Sequence, residues 1–194
     1  MRDPDLQAFL DAAMAAWGRF APAPEGQRSI ARIKAALAQP RPHRTTTGSR
    51  RPVCAHLDQA LAVDLPDPLL ADMIRAFARI EPRLDWRPSG REGPTASANF
   101  ADGHANAMIA GRAGLEPRQD VSIGVSLMAP GVRYPDHDHA PEETYLVLSD
   151  GQFRQGDGDW FTPGIGGSFY NPPGIRHAMR SGKTPLFAFW ALLA

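Results

Sequence analysis

The sequence predicts a mainly β fold, a sandwich or closed barrel of short strands, preceded by an α-helical N-terminal region. Three observations carry this. The apolar period is three to four residues over the first half and changes to two after residue 100. The chain holds 18 Gly and 19 Pro, which suits many tight turns better than a helical bundle. Turn signals also recur between the later apolar runs, as Pro130-Gly131, Asp150-Gly151, Gly156-Asp157-Gly158 and Pro172-Pro173-Gly174. The organisation read from this is a helical region over 1–95, packed on the barrel or on a partner subunit, and a barrel over 96–194.

In chain order, Leu6, Phe9, Leu10, Ala13, Met14, Trp17 and Phe20 form one apolar stripe. Asp3-Pro4 caps and starts that helix, and Pro22 and Pro24 stop it. A weaker stripe uses Ile30, Ile33, Ala36 and Leu37, with Ser29 as its expected cap and Pro40 and Pro42 closing it. Residues 40–52 are polar, basic and rich in breakers, and read as a solvated loop. Asp67-Pro68 opens a third helix with Leu69, Leu70, Met73, Ile74, Phe77 and Ile80 on one face. Residues 82–95 read as another loop. Beyond it, Ala105, Ala107 and Ile109 alternate weakly and Val121, Ile123, Val125 and Leu127 clearly, as in a strand with one buried face. Further short strands are expected at Tyr145–Leu148, Phe153, Trp160-Phe161, Ser168–Tyr170 and Leu186–Leu193.

Charge is balanced, 21 basic against 21 acidic residues with a pI near 7.0, so nothing electrostatic points to nucleic acid or an anionic membrane surface. Met1 is followed at once by Arg2 and Asp3 with no apolar run behind, so no secretory signal or membrane span is expected. The single cysteine, Cys54, allows no intrachain disulfide and reads as a small buried thiol. These features lead to an expectation of a soluble, cytoplasmic protein with a small-molecule substrate. The Leu69–Ile80 stripe is compatible with a homodimer.

Ligand-type residues concentrate in the barrel half. On a strand, His137 and His139 share a face; Glu143 and Tyr145 keep that parity after a kink at Pro141. Two imidazoles, a carboxylate and a phenol turned to one interior are costly unless something binds them. His177, after the Pro172-Pro173-Gly174 turn, supplies a further imidazole from an opposing strand. Together His137, His139, Glu143 and His177 make a mixed N/O set for one divalent metal, whether Fe, Mn, Zn, Ni or Co. His43, His56 and His104 stand apart and read as ordinary surface or core residues. Asp136 and Asp138 read as solvated.

The first run resembles the first motif of the cupin superfamily, G-x5-H-x-H-x3-E-x6-G, in Gly131, His137, His139, Glu143 and Gly151, with seven residues in the last spacer instead of six. The second resembles G-x5-P-x-G-x2-H-x3-N in Gly166, Pro172, Gly174 and His177, with Ser181 in place of Asn. The resemblance implies a double-stranded β-helix with a metal site. More finely, Tyr134, His137, His139, Glu143 and Tyr145, followed by His177-Ala-Met179 and the apolar run to Trp190, look like the bacterial cupin-type dimethylsulfoniopropionate (DMSP) lyases. That resemblance, over residues 120–193, implies cleavage of DMSP to dimethyl sulfide and acrylate. It also implies His139, Glu143 and His177 as metal ligands with His137 as the fourth. Tyr145 is placed at the metal and Tyr134 is the first candidate for the base, with Tyr145 as the other.

The step itself sets requirements. A proton next to a carboxylate is weakly acidic; a cation at the carboxylate stabilises the developing charge, and a phenol near a cation can serve as base. Trp160, Tyr170 or Trp190 could face the sulfonium by cation–π attraction. Two other readings of the same ligands are a cupin dioxygenase using iron and a small-molecule-binding cupin without turnover. The paired Tyr134 and Tyr145 lean toward the lyase, because an oxygenase needs no phenolate base.

Overall fold

The computed structural model describes residues 2–22, 24–91 and 93–193. Glu92, inside the loop expected over 82–95, lies outside that set. Two antiparallel sheets face each other. The larger has six strands in the order β1 (Trp86–Arg87), β2 (His104–Ala110), β3 (Val121–Met128), β9 (Leu186–Leu193), β5 (Glu142–Val147) and β7 (Ser168–Asn171). The smaller has three, β4 (Arg133–His137), β8 (His177–Arg180) and β6 (Gln152–Gln155). This is a jelly-roll barrel of the kind the motif resemblance implies, with helices on its outer wall.

The period-two pattern sorts side chains into two cores. Val121, Ile123, Val125 and Leu127 of β3, and Phe187, Phe189 and Ala191 of β9, turn outward under the helices. Met128, Leu186, Ala188 and Trp190 turn inward and meet Tyr134, Phe153 and Met179 of the smaller sheet. The clear alternation of β3 therefore does not mark a lumen face and a solvent face. Its apolar side is covered by helices, and Gly124 and Ser126 are left to the lumen.

The helices supply that cover. In α1 (Pro4–Phe20), Asp3 accepts the Leu6 amide at 2.9 Å, and in α4 (Pro68–Ile80) Asp67 accepts that of Leu69 at 2.9 Å. Phe9 of α1 and Phe77 of α4 meet Phe189 of β9 with ring centroids 5.7 and 5.1 Å away. Of the two uses open to the α4 stripe, core or dimer contact, the chain's own core takes Leu70, Met73, Phe77 and Ile80, which are buried within it. α2 (Glu25–Leu37) begins four residues before Ser29, which sits buried inside it instead of capping it. The 40–52 segment is a loop as expected, and two elements the periodicity did not reveal follow it, a 3₁₀ turn over Pro52–His56 and α3 (Leu57–Leu61). Both were too short for a stripe to emerge. Among the described residues no helix is long and apolar enough to cross a membrane.

A buried ion cluster ties the start of the chain to the barrel. Glu116 accepts from Arg2 at 2.6 and 3.0 Å and from Arg118 at 2.7 Å. The Arg2 and Glu116 side chains are 3% and 0% exposed. Removing the carboxylate would leave two guanidinium groups facing each other in a dry site. Glu116→Ala is therefore expected to lower unfolding free energy by about 3–5 kcal/mol, measured by urea denaturation.

Candidate metal centre

The site is assembled where the two sheets face each other. β4 and β8 pair Tyr134 with Met179 and His137 with His177, two steps on β8 against three on β4. The extra residue is a β-bulge at Pro135-Asp136, where a proline lacking an amide proton is tolerated. The bulge has a direct effect on chemistry. In a regular strand Tyr134 and His137 would point to opposite faces; here both turn inward, with ring centroids 4.6 Å apart. The chain then crosses between sheets through 138–141, so His139 stands in the crossing, and Glu143 and Tyr145 project from β5 of the other sheet. The shared parity of His137, His139, Glu143 and Tyr145 is thus spread over two facing strands.

All three imidazoles are held the same way. His137 Nδ1 lies 3.0 Å from Pro135 O, His139 Nδ1 2.8 Å from Pro141 O, and His177 Nδ1 2.9 Å from Ile175 O. A carbonyl only accepts, so each Nδ1 carries a proton, and each Nε2 is the nitrogen left free of the main chain. The ring centroids are 4.0 Å apart for His137 and His177 and 5.0 Å for His139 and His177, and one ligand atom from each of the three lies within 4.8 Å of the others. Glu143 Oε2 is 3.3 Å from His177 Nε2 and 3.4 Å from His139 Nε2. The buried His177 Nε2 is left without a hydrogen-bond partner. Three converging ring nitrogens, one of them orphaned, beside a buried carboxylate fit a divalent cation of N/O preference.

Burial would lower His139, but the Glu143 carboxylate outweighs it and raises that ring. Burial, then the neighbouring His177, hold the His137 ring neutral, its pKa lowered to about 3. Burial opposes the Glu143 charge, but His139 and His177 outweigh it and bring the carboxyl down to about 2. The carboxylate is also oriented from behind. Asn171 Nδ2 donates to Glu143 Oε2 at 3.0 Å, and Gln155 Nε2 donates to Asn171 Oδ1 at 2.6 Å. Burial pushes the Tyr134 phenol up while Ser89 and Arg91 work against that rise. Tyr145, stacked on Phe169 at 4.9 Å, is pushed well above 10 by burial and by Glu143.

A cavity of about 210 Å³ opens from this cluster. Tyr134, His137, His139, Glu143, Tyr145 and Trp190 all line it. Trp190 is fixed in place, its Nε1 donating to Ser126 Oγ at 3.1 Å and that hydroxyl to Asn106 Oδ1 at 2.6 Å. A Cβ on Gly124 would lie 2.3 Å from the indole, so that position needs glycine.

The structure does not bring Trp160 or Tyr170 to the cavity. Trp160 lies beneath the Arg180 guanidinium at 4.2 Å, with Arg133 and Arg154 at 5.3 Å. The Tyr170 hydroxyl donates to Glu142 at 2.6 Å. Asp136 is not solvated but ion-paired to Arg154 at 2.6 Å. His104 is a core residue as read, stacked on Phe100, with Nε2 3.1 Å from Asn106 Oδ1. Sequence reasoning missed Ser89, Arg91, Asn106, Ser126, Met179 and Leu192 in the lining. Asn106 and Ser126 had a signal, as polar positions alternating with the apolar ones of β2 and β3. Ser89 and Arg91 had none.

Comparison with known proteins gives a consistent picture. The dimethylsulfoniopropionate lyase family matches residues 25–188. DddL of Cereibacter sphaeroides, designated a candidate dimethylsulfoniopropionate lyase, is 33% identical over 134 residues, 68% of this chain and 54% of that protein. The chain thus spans about half the length of this curated relative. The DMSP lyase DddQ from Ruegeria pomeroyi DSS-3 superposes with a TM-score of 0.78 at 24% identity, over 100% of this chain and 93% of that one. A structure described with the DMSP lyases RdDddP and RnDddQII gives 0.74 at 20% identity, over 98% and 92%. At these identities the structural likeness establishes the fold.

Asn171→Ala removes the donor that aims Glu143. It is expected to weaken divalent metal affinity by about 10- to 100-fold while leaving the chain folded, as read by competition titration with a chromogenic chelator.

Proposed function

Because the chain belongs to the dimethylsulfoniopropionate lyase family, we propose that it cleaves DMSP to dimethyl sulfide and acrylate by β-elimination. The observation that carries this reading to specific residues is the convergence of the His137, His139 and His177 rings beside Glu143, at the mouth of a cavity lined by two tyrosines. His137, His139, His177 and Glu143 would hold one divalent metal ion. When bound, it supplies a Lewis acid for the substrate carboxylate, making the neighbouring C–H more acidic.

Tyr134 takes the proton from the carbon next to the carboxylate. The C–H electron pair forms the new C=C bond, the carbon–sulfur bond breaks, and its pair leaves on sulfur as neutral dimethyl sulfide. The division of labour between the tyrosines follows from their surroundings. Burial and Glu143 push both phenols up, but Tyr134 less far than Tyr145, because Ser89 and Arg91 work against the rise at Tyr134. Tyr145 therefore serves as an O–H donor that positions the substrate. The face of Trp190, locked by Ser126 and Gly124, receives the sulfonium methyl groups. Trp160 and Tyr170 have no part in this assignment, since neither reaches the cavity.

The test is headspace detection of dimethyl sulfide from purified protein given DMSP with Fe, Mn, Zn, Ni or Co in turn. Metal-dependent release is expected, lost together with metal binding in His177→Ala. Tyr134→Phe is expected to keep the metal and lose turnover by about 10²–10⁴-fold. Silence with every metal, from folded and loaded protein, would discard this substrate.

A further inference from the structure

The loop after β1 carries a residue that neither the motifs nor the ligand cluster accounts for. The segment leaves the edge of the six-stranded sheet, where Arg87 pairs with Asn106. It arrives at the edge of the three-stranded sheet, where Thr95 Oγ1 accepts the Asp136 amide at 2.9 Å and Ser97 Oγ that of Arg133 at 2.9 Å. It is thus pinned at both ends and closes the gap between the sheets. From it, Ser89 and Arg91 line the metal cavity. They also line the adjoining cavity of about 600 Å³, where Arg51 is a second cation.

We propose that Arg91 is the specificity-determining residue that reads the substrate carboxylate, so that the site selects acids and orients them. The proposal rests on the lyase reading for its substrate, but its geometry stands separately. Among the described residues lining the metal cavity, only Glu143 and Arg91 carry a formal charge outside the imidazoles. Glu143 is already engaged by Asn171, His139 and His177. Arg91 is half-buried, and among the described residues no carboxylate forms an ion pair with it. A guanidinium facing a small, partly desolvated cavity is satisfied by a bidentate anion, and a carboxylate matches its fork. The opposite requirement falls on the other end of the molecule. A sulfonium is repelled by Arg91 and drawn to the wall of Trp190, Met179 and Leu192. Arg91 thereby works with the ion that the four ligands would hold: both draw the carboxylate to one end of the cavity, which brings the neighbouring carbon toward Tyr134.

The experiment compares acrylate with acrylamide, its neutral isostere, by calorimetry on metal-loaded wild type, Arg91→Gln and Arg91→Lys. The wild type is expected to prefer acrylate. Arg91→Gln should bind acrylate about 10- to 100-fold more weakly, with acrylamide affinity and metal content unchanged, and Arg91→Lys should fall between. For DMSP turnover, KM should rise more than kcat falls. Unchanged acrylate affinity in Arg91→Gln at full metal load would overturn the proposal, as would a loss of metal in step with a loss of acrylate. Absence of dimethyl sulfide from the wild type sinks the substrate reading instead, and the acrylate–acrylamide contrast then decides Arg91 alone.

Discussion

Strand β9 carries large apolar side chains on both faces, and the molecule is arranged around covering them. Phe187 and Phe189 on one side require the helices, because a sheet with two apolar faces cannot leave either to water. Leu186, Ala188 and Trp190 on the other side require the three-stranded sheet. α1 and α4 are therefore part of the barrel's wall and not an appendage to it, with their aromatic rings in the same core as the strands. The position of Trp190, and with it the floor of the cavity, is set by the packing on its reverse side.

The histidine cluster answers a second problem, that of polar groups inside the barrel. Each imidazole is satisfied on one nitrogen by a main-chain carbonyl two residues away, which leaves the other nitrogen committed to the centre. Glu143 is committed from behind through Asn171 and Gln155. No ligand in this arrangement can turn outward for a better partner without breaking a bond already made. The centre is preorganised in the sense that matters for binding a cation: the alternatives available to its ligands are worse.

Much of this could be read in the sequence and some of it could not, for physical reasons. The helices with long apolar stripes, at Leu6–Phe20 and Leu69–Ile80, were visible because many residues repeat the period. α3, α5 (Phe100–Gly103) and β1 are too short to show one. The cluster of His137, His139, His177 and Glu143 was legible because His and Glu at motif spacing are rarely neutral choices. Asn171 falls in a spacer of the second motif, where an amide before a proline turn has other common uses and gives no sign of a role. Ser89 and Arg91 lay in a segment whose composition says only loop, and their meaning comes from where its ends are tied. Trp160 and Tyr170 were chosen for aromatic character alone, and strand parity cannot place a residue in a loop or tell one sheet's outer face from the other's lumen.

The Pro135-Asp136 bulge separates two things that a regular strand would have coupled. In an unbroken β4, any residue placed to face the lumen beside His137 would share its register and be constrained by the same ladder. With the extra residue, position 134 acquires its own inward orientation, independent of the spacing that holds the imidazoles. The barrel thus has a modular position next to its ligand cluster, where a side chain can be exchanged without moving a ligand. A side chain at that position can therefore be changed without disturbing the spacing of the imidazoles, and in this chain the occupant is Tyr134.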